Sequence, residues 1–332
     1  MNVNDSDARE AGMLESSAST APLPAPVLRR REHCPGCHRS SARTLHKEPL
    51  DSPGISRYMR AHYEHRVQRD FSGYDYELAQ CEHCGLAYQA QVPTEELLQE
   101  IYDRWLPATE REAVVSRWGL DDYRYLAGQV EFMLDHFRMQ PSSIRALDFG
   151  FGWAEWAKMA CAFGVNVCGA ELSQVRIDYA KSVGIPVVDA SRLPDGEFHF
   201  INTEQVFEHL LEPGEMLQRL GRALRPGGLI KVSVPNSEKS IRKLVGSGDF
   251  SRLNDGDIMA IAPFEHINAF TYASLSALGR EAGLVPLRPS LRKLYNSSSG
   301  WMEPKSALKT LARPIYRHLY PKSTFVYFAR PG

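Results

Sequence analysis

Four of the six cysteines in this 332-residue chain stand in two Cys-x-x-Cys pairs, Cys34-Pro35-Gly36-Cys37 and Cys81-Glu82-His83-Cys84, separated by 43 residues. Four thiolates at about 2.3 Å satisfy a tetrahedral zinc ion, and a four-cysteine site is closed and structural. The alternatives are an iron–sulfur cluster and redox chemistry, the latter normally employing one pair beside a helix in a βαβ setting; two distant pairs fit that poorly. His33, His38 and His83 flank the pairs as substitute ligands. A second group with chemistry is Leu147-Asp148-Phe149-Gly150-Phe151-Gly152, an apolar run ending in an acid and two close glycines, with Glu171 some way downstream. This is a nucleotide-binding layout. A dinucleotide fingerprint needs a third glycine for close helix–strand packing. Counting from Gly150, that position holds Glu155, inside the bulky run Trp153-Ala154-Glu155-Trp156, so an NAD site is excluded.

These groups need elements to position them. From Ile144 the pattern alternates strand and helix, which argues for an α/β fold with a parallel sheet covered on both faces. Strands are expected at 144–149, 166–171, 186–189, 198–203, 229–234, 284–287 and 324–329. Helices are expected at about 154–163, 174–183, 213–224 and 272–281, the third stopping at Arg225-Pro226-Gly227-Gly228, a helix exit and turn. Apolar residues at helical spacing (Tyr123, Leu126, Val130, Met133, Leu134 and Phe137) predict a further helix ending before Pro141. Pro93-Thr94-Glu95-Glu96 starts another. The chain divides into a tail (1–28) rich in Ala, Ser and Pro and read as disordered, a cysteine-pinned module (29–92), a helical linker (93–141) and the α/β domain (142–332). A polar, glycine-containing insertion at 237–266 is a candidate lid, and a helical insert is expected at about 306–319. So small a module lacks a core of its own, and zinc would supply its folding energy.

Bulk composition narrows the partners. Hydrophobic residues make up 43% and charged residues 24%, a profile of globular proteins. The net charge of −1 gives no global basic field, so nucleic acid is not the default partner. The short Arg29-Arg30-Arg31 run reads as a solvated linker. No apolar run approaches the ~20 residues of a membrane helix, and the acidic, polar start is not a signal peptide. A cytoplasmic location is expected, where paired Cys-x-x-Cys favours metal over disulfides.

The ordered set Asp148-Phe149-Gly150-Phe151-Gly152, Glu171, Asp189, Phe207-Glu208-His209 and Leu224-Arg225-Pro226-Gly227-Gly228 resembles the class I S-adenosylmethionine (SAM)-dependent methyltransferases, over about 144–329. The resemblance implies a Rossmann-like seven-stranded sheet that binds SAM beyond the carboxyl ends of its strands. It implies that Asp148, Gly150 and Gly152 line the methionine end, and that Glu171 accepts from the ribose hydroxyls beside Leu172. Asp189 and Ala190 would lie beside the adenine, and Glu204 and Gln205 would border the methionine moiety. A departure is Ala154, where the wider motif has a third glycine. Each element also has a plainer reading: turn punctuation for the glycines, helix capping for Asp148, a solvated strand end for Glu171. A zinc-like module ahead of the SAM domain resembles a branch that modifies sugars or other small metabolites.

Methyl transfer to oxygen or carbon needs a proton removed. His266, in Glu265-His266-Ile267-Asn268-Ala269-Phe270-Thr271, is the first candidate base, because imidazole titrates near neutrality; its plainer role is to pin the insertion by a hydrogen bond. His209 is the second, with a structural role weighed beside it. Tyr295, Trp301 and Tyr316 are candidates to shape an acceptor pocket. The expected activity is methylation of a small molecule, such as a sugar, glycan precursor or secondary metabolite. The alternative is a methyltransferase fold acting on protein or RNA through the zinc module. A basic, aromatic stripe on that module would favour RNA, and a surface turned to the SAM cleft a small acceptor.

Overall fold

A computed structural model describes residues 27–67, 69–105, 111–287 and 323–332. The expected tail up to residue 26, the insert at 306–319, and Tyr295, Trp301 and Tyr316 lie outside the described residues. The N-terminal part contains β1 (Leu28–Arg30), β2 (Ala42–Pro49), α1 (Pro53–His62), β3 (Asp75–Cys81), β4 (Ala87–Gln89) and β5 (Gln91–Pro93). It continues through α2 (Glu95–Glu100), a π-helical turn at Ile101–Trp105, α3 (Arg111–Val115) and α4 (Leu120–Phe137). Thr94 starts α2 as expected, its hydroxyl accepting from Leu97 N–H. α4 ends where Arg138 turns left-handed (φ 51°), ahead of Pro141.

The second part runs β6 (Arg145–Phe149), α5 (Glu155–Ala162), β7 (Asn166–Ala170), α6 (Gln174–Ser182), β8 (Phe198–Glu204), α7 (Pro213–Ala223) and β9 (Leu224–Pro235). It continues with α8 (Glu238–Ser247), α9 (Asp255–Met259), β10 (Asn268–Ala269), α10 (Tyr272–Glu281), β11 (Val285–Leu287) and β12 (Ser323–Ala329). The central sheet has the order β11-β12-β9-β8-β6-β7. β7, β6, β8 and β9 are parallel, and β12 and β11 are antiparallel additions. The chain goes from β6 outward to β7 and then back past β6 to β8, so the topological switch lies at the carboxyl ends of β6 and β8.

Two expected elements take another form. The strand at 186–189 is reduced to one parallel bridge, Gly169 to Val187, extended by Gly169 N–H to Pro186 O and Val188 N–H to Gly169 O, both 2.8 Å. It is too short to be a full seventh strand. The Arg225-Pro226-Gly227-Gly228 turn lies within β9, opposite a register shift between Phe198 and Phe200. There Gly227 adopts φ 74° and lets the strand bulge rather than end.

The cores explain the arrangement. One face of the sheet packs α4 and α5 through Val130, Phe132, Trp156, Phe200 and Tyr327. The other face packs α7 and α10 through Leu217, Leu220, Leu275 and Phe328, and the same cluster contains Cys34, Cys81 and Cys84. A third core joins Tyr58, Tyr63, Tyr76 and Trp105 of the N-terminal part to Leu244, Phe250, Ile258 and Phe264 of the 237–266 segment. That segment is therefore two short helices packed on the module. β10 adds to the module's sheet, whose order is β10-β4-β3-β2. Among the described residues no helix is long and apolar enough to cross a membrane.

Candidate cofactor and acceptor site

Strand register assembles the site. Phe149 pairs with Ala170 on one side and Thr203 on the other. The next residues, Gly150, Glu171 and Glu204, therefore share one row at the carboxyl edge. Gly150 adopts φ 70°, and a Cβ there would lie 2.4 Å from Val206. Only glycine fits where this loop passes the β8 exit. Gly152 has φ 54°, and its Cβ direction is open space. The loop is thus pinched at Gly150 and open at Gly152.

Asp148 serves the plainer purpose. It is buried and accepts from Asn202 Nδ2 (2.9 Å) and from Ala157 N–H (3.2 Å) in the first turn of α5. Burial pushes its pKa up to about 7. Its distant cap compensates for Ala154, which precedes α5 in the left-handed region (φ 56°) with no capping side chain.

Glu171 is aimed by the backbone. Its carboxylate accepts from Gly152 N–H (3.0 Å), Leu172 N–H (2.9 Å) and Ser173 N–H (3.2 Å). The acid and the glycine loop are thereby one unit. Leu172 is 96% exposed beside it, an apolar flank with nothing of the protein against it. Asp189 starts the turn at Ala190–Arg192 by accepting from Ser191 N–H (2.8 Å) and Ser191 Oγ (2.7 Å). Those bonds hold its carboxyl below the usual range.

Glu204 is not a free anion. It is bonded by Lys231 Nζ, by Tyr125 Oη (3.1 Å) and by Ser233 Oγ (2.8 Å). Lys231 is wholly buried and also reaches Gln129 Oε1 at 2.7 Å. Burial opposes its charge, but Glu204, Tyr125 and Tyr327 together outweigh this and its pKa is raised. Sequence reasoning missed Tyr125, Gln129 and Lys231. The legible signal was a lone lysine inside the apolar strand Leu229-Ile230-Lys231-Val232. Gln205 follows with φ 55° and is exposed at the strand exit.

The two candidate histidines meet. The rings of His209 and His266 lie 4.8 Å apart, edge to face. His209 Nδ1 donates to Glu265 O (3.0 Å), and Glu265 in turn pairs with His62 Nε2 (2.7 Å). Glu208 lies beside them, 1% exposed, and neither carboxylate oxygen accepts a hydrogen bond from another residue. The approach to His266 is clamped from both sides. Gln89 Nε2 donates to Ala262 O (2.8 Å) and His266 O (3.2 Å), while Asn268 Nδ2 donates to Leu210 O (2.7 Å). Module strand β4 and the loop after β8 thus grip one segment and hold both imidazoles between them.

The four cysteines also converge. Cys34 Sγ lies 3.6 Å from Cys84 Sγ, Cys37 Sγ lies 3.5 Å from Cys81 Sγ, and all four atoms fall within 4.8 Å of one another. A tetrahedron of sulfurs at 2.3 Å from an ion has edges of about 3.8 Å, so the donor set fits zinc. The knuckle is docked on the α/β domain: Gly214 N–H donates to Pro35 O (3.1 Å), and a Cβ on Gly214 would lie 2.3 Å from Gly36 O. The Arg29–Arg31 run is partly spent inside. Arg31 is buried, donating to Leu211 O (2.8 Å) and Asn268 Oδ1 (3.1 Å), and Arg30 pairs with Glu77 at 2.8 Å.

The sequence profile of the methyltransferase domain family matches residues 119–288, just over half of the chain. The chain belongs to the SAM-dependent methyltransferases. This methyltransferase is 24% identical over 216 residues to the biotin biosynthesis bifunctional protein BioHC of Cellvibrio japonicus, covering 60% of this chain and 41% of that one. It is 25% identical over 153 residues to the ubiquinone biosynthesis O-methyltransferase of Thiobacillus denitrificans, covering 42% and 64%. It therefore spans less than two thirds of the length of either relative. Among solved structures it is similar to the plantazolicin methyltransferase BamL in complex with a triazolic desmethylPZN analog and SAH. The TM-score is 0.49 at 12% identity, over 71% of this chain and 95% of that one. A SAM-dependent methyltransferase from Mesorhizobium loti aligns with TM-score 0.42 and 19% identity, over 62% of this chain and all of that one.

Proposed function

We propose that this methyltransferase methylates an oxygen or carbon atom of a small molecule, in the class of sugars, glycan precursors and secondary metabolites. One structural zinc ion on Cys34, Cys37, Cys81 and Cys84 completes the fold. The carrying observation is the placement of Glu208, His209 and His266, clamped between the module and the β8 exit on the same edge as the glycine loop. The module's inward turn supports a small acceptor: its cysteine knuckle is packed on α7 and α10, and Arg31 is buried rather than displayed. The two metal-spaced cysteine pairs fit a reducing, cytoplasmic compartment.

In this reading Glu171 holds the ribose hydroxyls, Leu172, Asp189 and Ala190 flank the adenine, and Gly150 and Gly152 admit the methionine end. Asp148 keeps α5 in place behind the loop, and Glu204 and Gln205 border the sulfur side. SAM supplies a sulfonium methyl. The acceptor lone pair forms the new bond to carbon as the carbon–sulfur bond breaks, and that electron pair stays on sulfur. His266, kept neutral by burial beside His209, would take the proton that the acceptor gives up, and positioning supplies the rest.

The test is an acceptor panel with methyl-labelled SAM: phenols, sugars and nucleotide sugars on one arm, peptides and RNA on the other. Label in the small-molecule arm, lost about 100-fold or more in His266→Ala with SAM affinity intact, supports the reading. Label only in peptide or RNA overturns it. By calorimetry Glu171→Ala should weaken SAM binding by about 1–3 kcal/mol; unchanged affinity removes the ribose role.

A further inference from the structure

We propose that Glu208, His209 and His266 form a second metal site in this chain, one that takes a divalent transition-metal ion. Three donors, one carboxylate and two imidazoles, lie with ligand atoms within 4.8 Å of one another. That is a ligand set used by catalytic zinc and its neighbours in the first transition series, which keep a position open beyond three protein ligands.

The orphaned atoms make the case. Glu208 is 1% exposed with both carboxylate oxygens lacking a hydrogen bond from another residue, and the buried His266 leaves Nδ1 without a partner. A buried carboxylate with nothing to accept is costly, and here two such lapses face one another. A cation between them satisfies both. The remaining bonds are those a ligating histidine needs. His209 spends Nδ1 on the Glu265 carbonyl, which frees Nε2 on the Glu208 side, 3.9 Å from Oε1. Such an outer bond fixes the tautomer and orientation of a metal-bound imidazole. The His266 ring is positioned by its edge-to-face contact with His209, 4.8 Å between centroids.

The surroundings favour a cation. Glu265 acts electrostatically on both histidines. His62, the nearby cation-forming group, is turned onto Glu265 at 2.7 Å. Lys231 is committed to Glu204 and Gln129. The ligands come from two segments, the loop after β8 and the stretch leading into β10, so an ion here also ties the module to the sheet. His209 keeps 25% of its side chain exposed, leaving the open position reachable from the carboxyl edge. There the ion, in place of a histidine base, would lower the pKa of a coordinated acceptor hydroxyl, whose proton leaves to solvent. That use rests on the small-acceptor reading above; the site itself does not.

The test counts metal on the full chain refolded with Co2+, without any acceptor. The wild type should hold about two ions per chain, one giving thiolate-to-cobalt charge-transfer absorption and one not. Glu208→Gln, which keeps shape and removes charge, should hold about one and retain that absorption in full, with an unchanged near-ultraviolet circular dichroism spectrum. His266→Gln should do the same. Failure of the cysteine site has a different signature, since the thiolate absorption itself is then missing. The proposal is overturned if the wild type binds no ion beyond the thiolate site, or if Glu208→Gln still binds two.

Discussion

The two ends of this molecule are built by opposite rules. At the cofactor edge the glycine loop is held by local contacts: Glu171 bonds a glycine 19 positions away, and Asp148 bonds an amide 9 positions away. In the cysteine module the decisive contacts are remote. Gln89 bonds Ala262 across 173 positions, Tyr76 bonds Ile261 across 185, and Arg31 bonds Asn268 across 237. Local construction makes the glycine loop and Glu171 one unit. Remote construction makes the module a clamp, whose integrity and whose hold on His266 are the same thing.

Mutations can separate or merge these regimes. The largest effect is expected from Cys84→Ser, which leaves three thiolates and costs more than about 4 kcal/mol through lost metal and folding energy. Hydrogen exchange should show the module and segment 237–266 opening together while the sheet strands stay protected. Uniform opening of the whole chain would merge the two regions into one folding unit. Gly214→Ala comes next. Its Cβ meets Gly36 O, so the knuckle must shift, at a cost of about 1–3 kcal/mol. Melting temperature should fall with SAM affinity unchanged, and a matching loss of affinity would show that the clamp reaches the glycine loop. The smallest effect is Ala154→Gly. Relief of a left-handed alanine, offset by glycine's extra chain entropy, should leave stability within about 1 kcal/mol. A larger loss by denaturant titration would mean that the Ala154 methyl packs usefully in the core.

This difference also decides what the sequence could disclose. β6, α5, β7, α6, β8 and α7 are visible as alternating patterns because each element's period reflects the face it buries. Glycines at 150 and 152 are visible because backbone geometry there has no other solution. The paired cysteines are legible for the same reason, since ligand spacing is chemical. The 237–266 segment reads as a polar lid because apolar residues such as Leu244, Phe250, Ile258 and Ile261 share a core with a module more than 130 positions earlier. Two residues of β10 are too few to carry a period. Arg225-Pro226-Gly227-Gly228 looks like a turn because local propensity cannot register the neighbour strand that absorbs it as a bulge. Glu204 looks free because its neutralising partner, Lys231, is joined to it only across the sheet.

The edge between β4 and β10 carries a consequence for biosynthesis. β4 leaves the ribosome long before β10 exists. At roughly 5–20 residues per second, the intervening chain takes about 10 to 40 seconds to make. During that interval the module presents an unpaired strand edge, the feature most apt to recruit another chain. The module is therefore made well before it can close, and until β10 arrives that edge must be covered by some other contact, such as a chaperone.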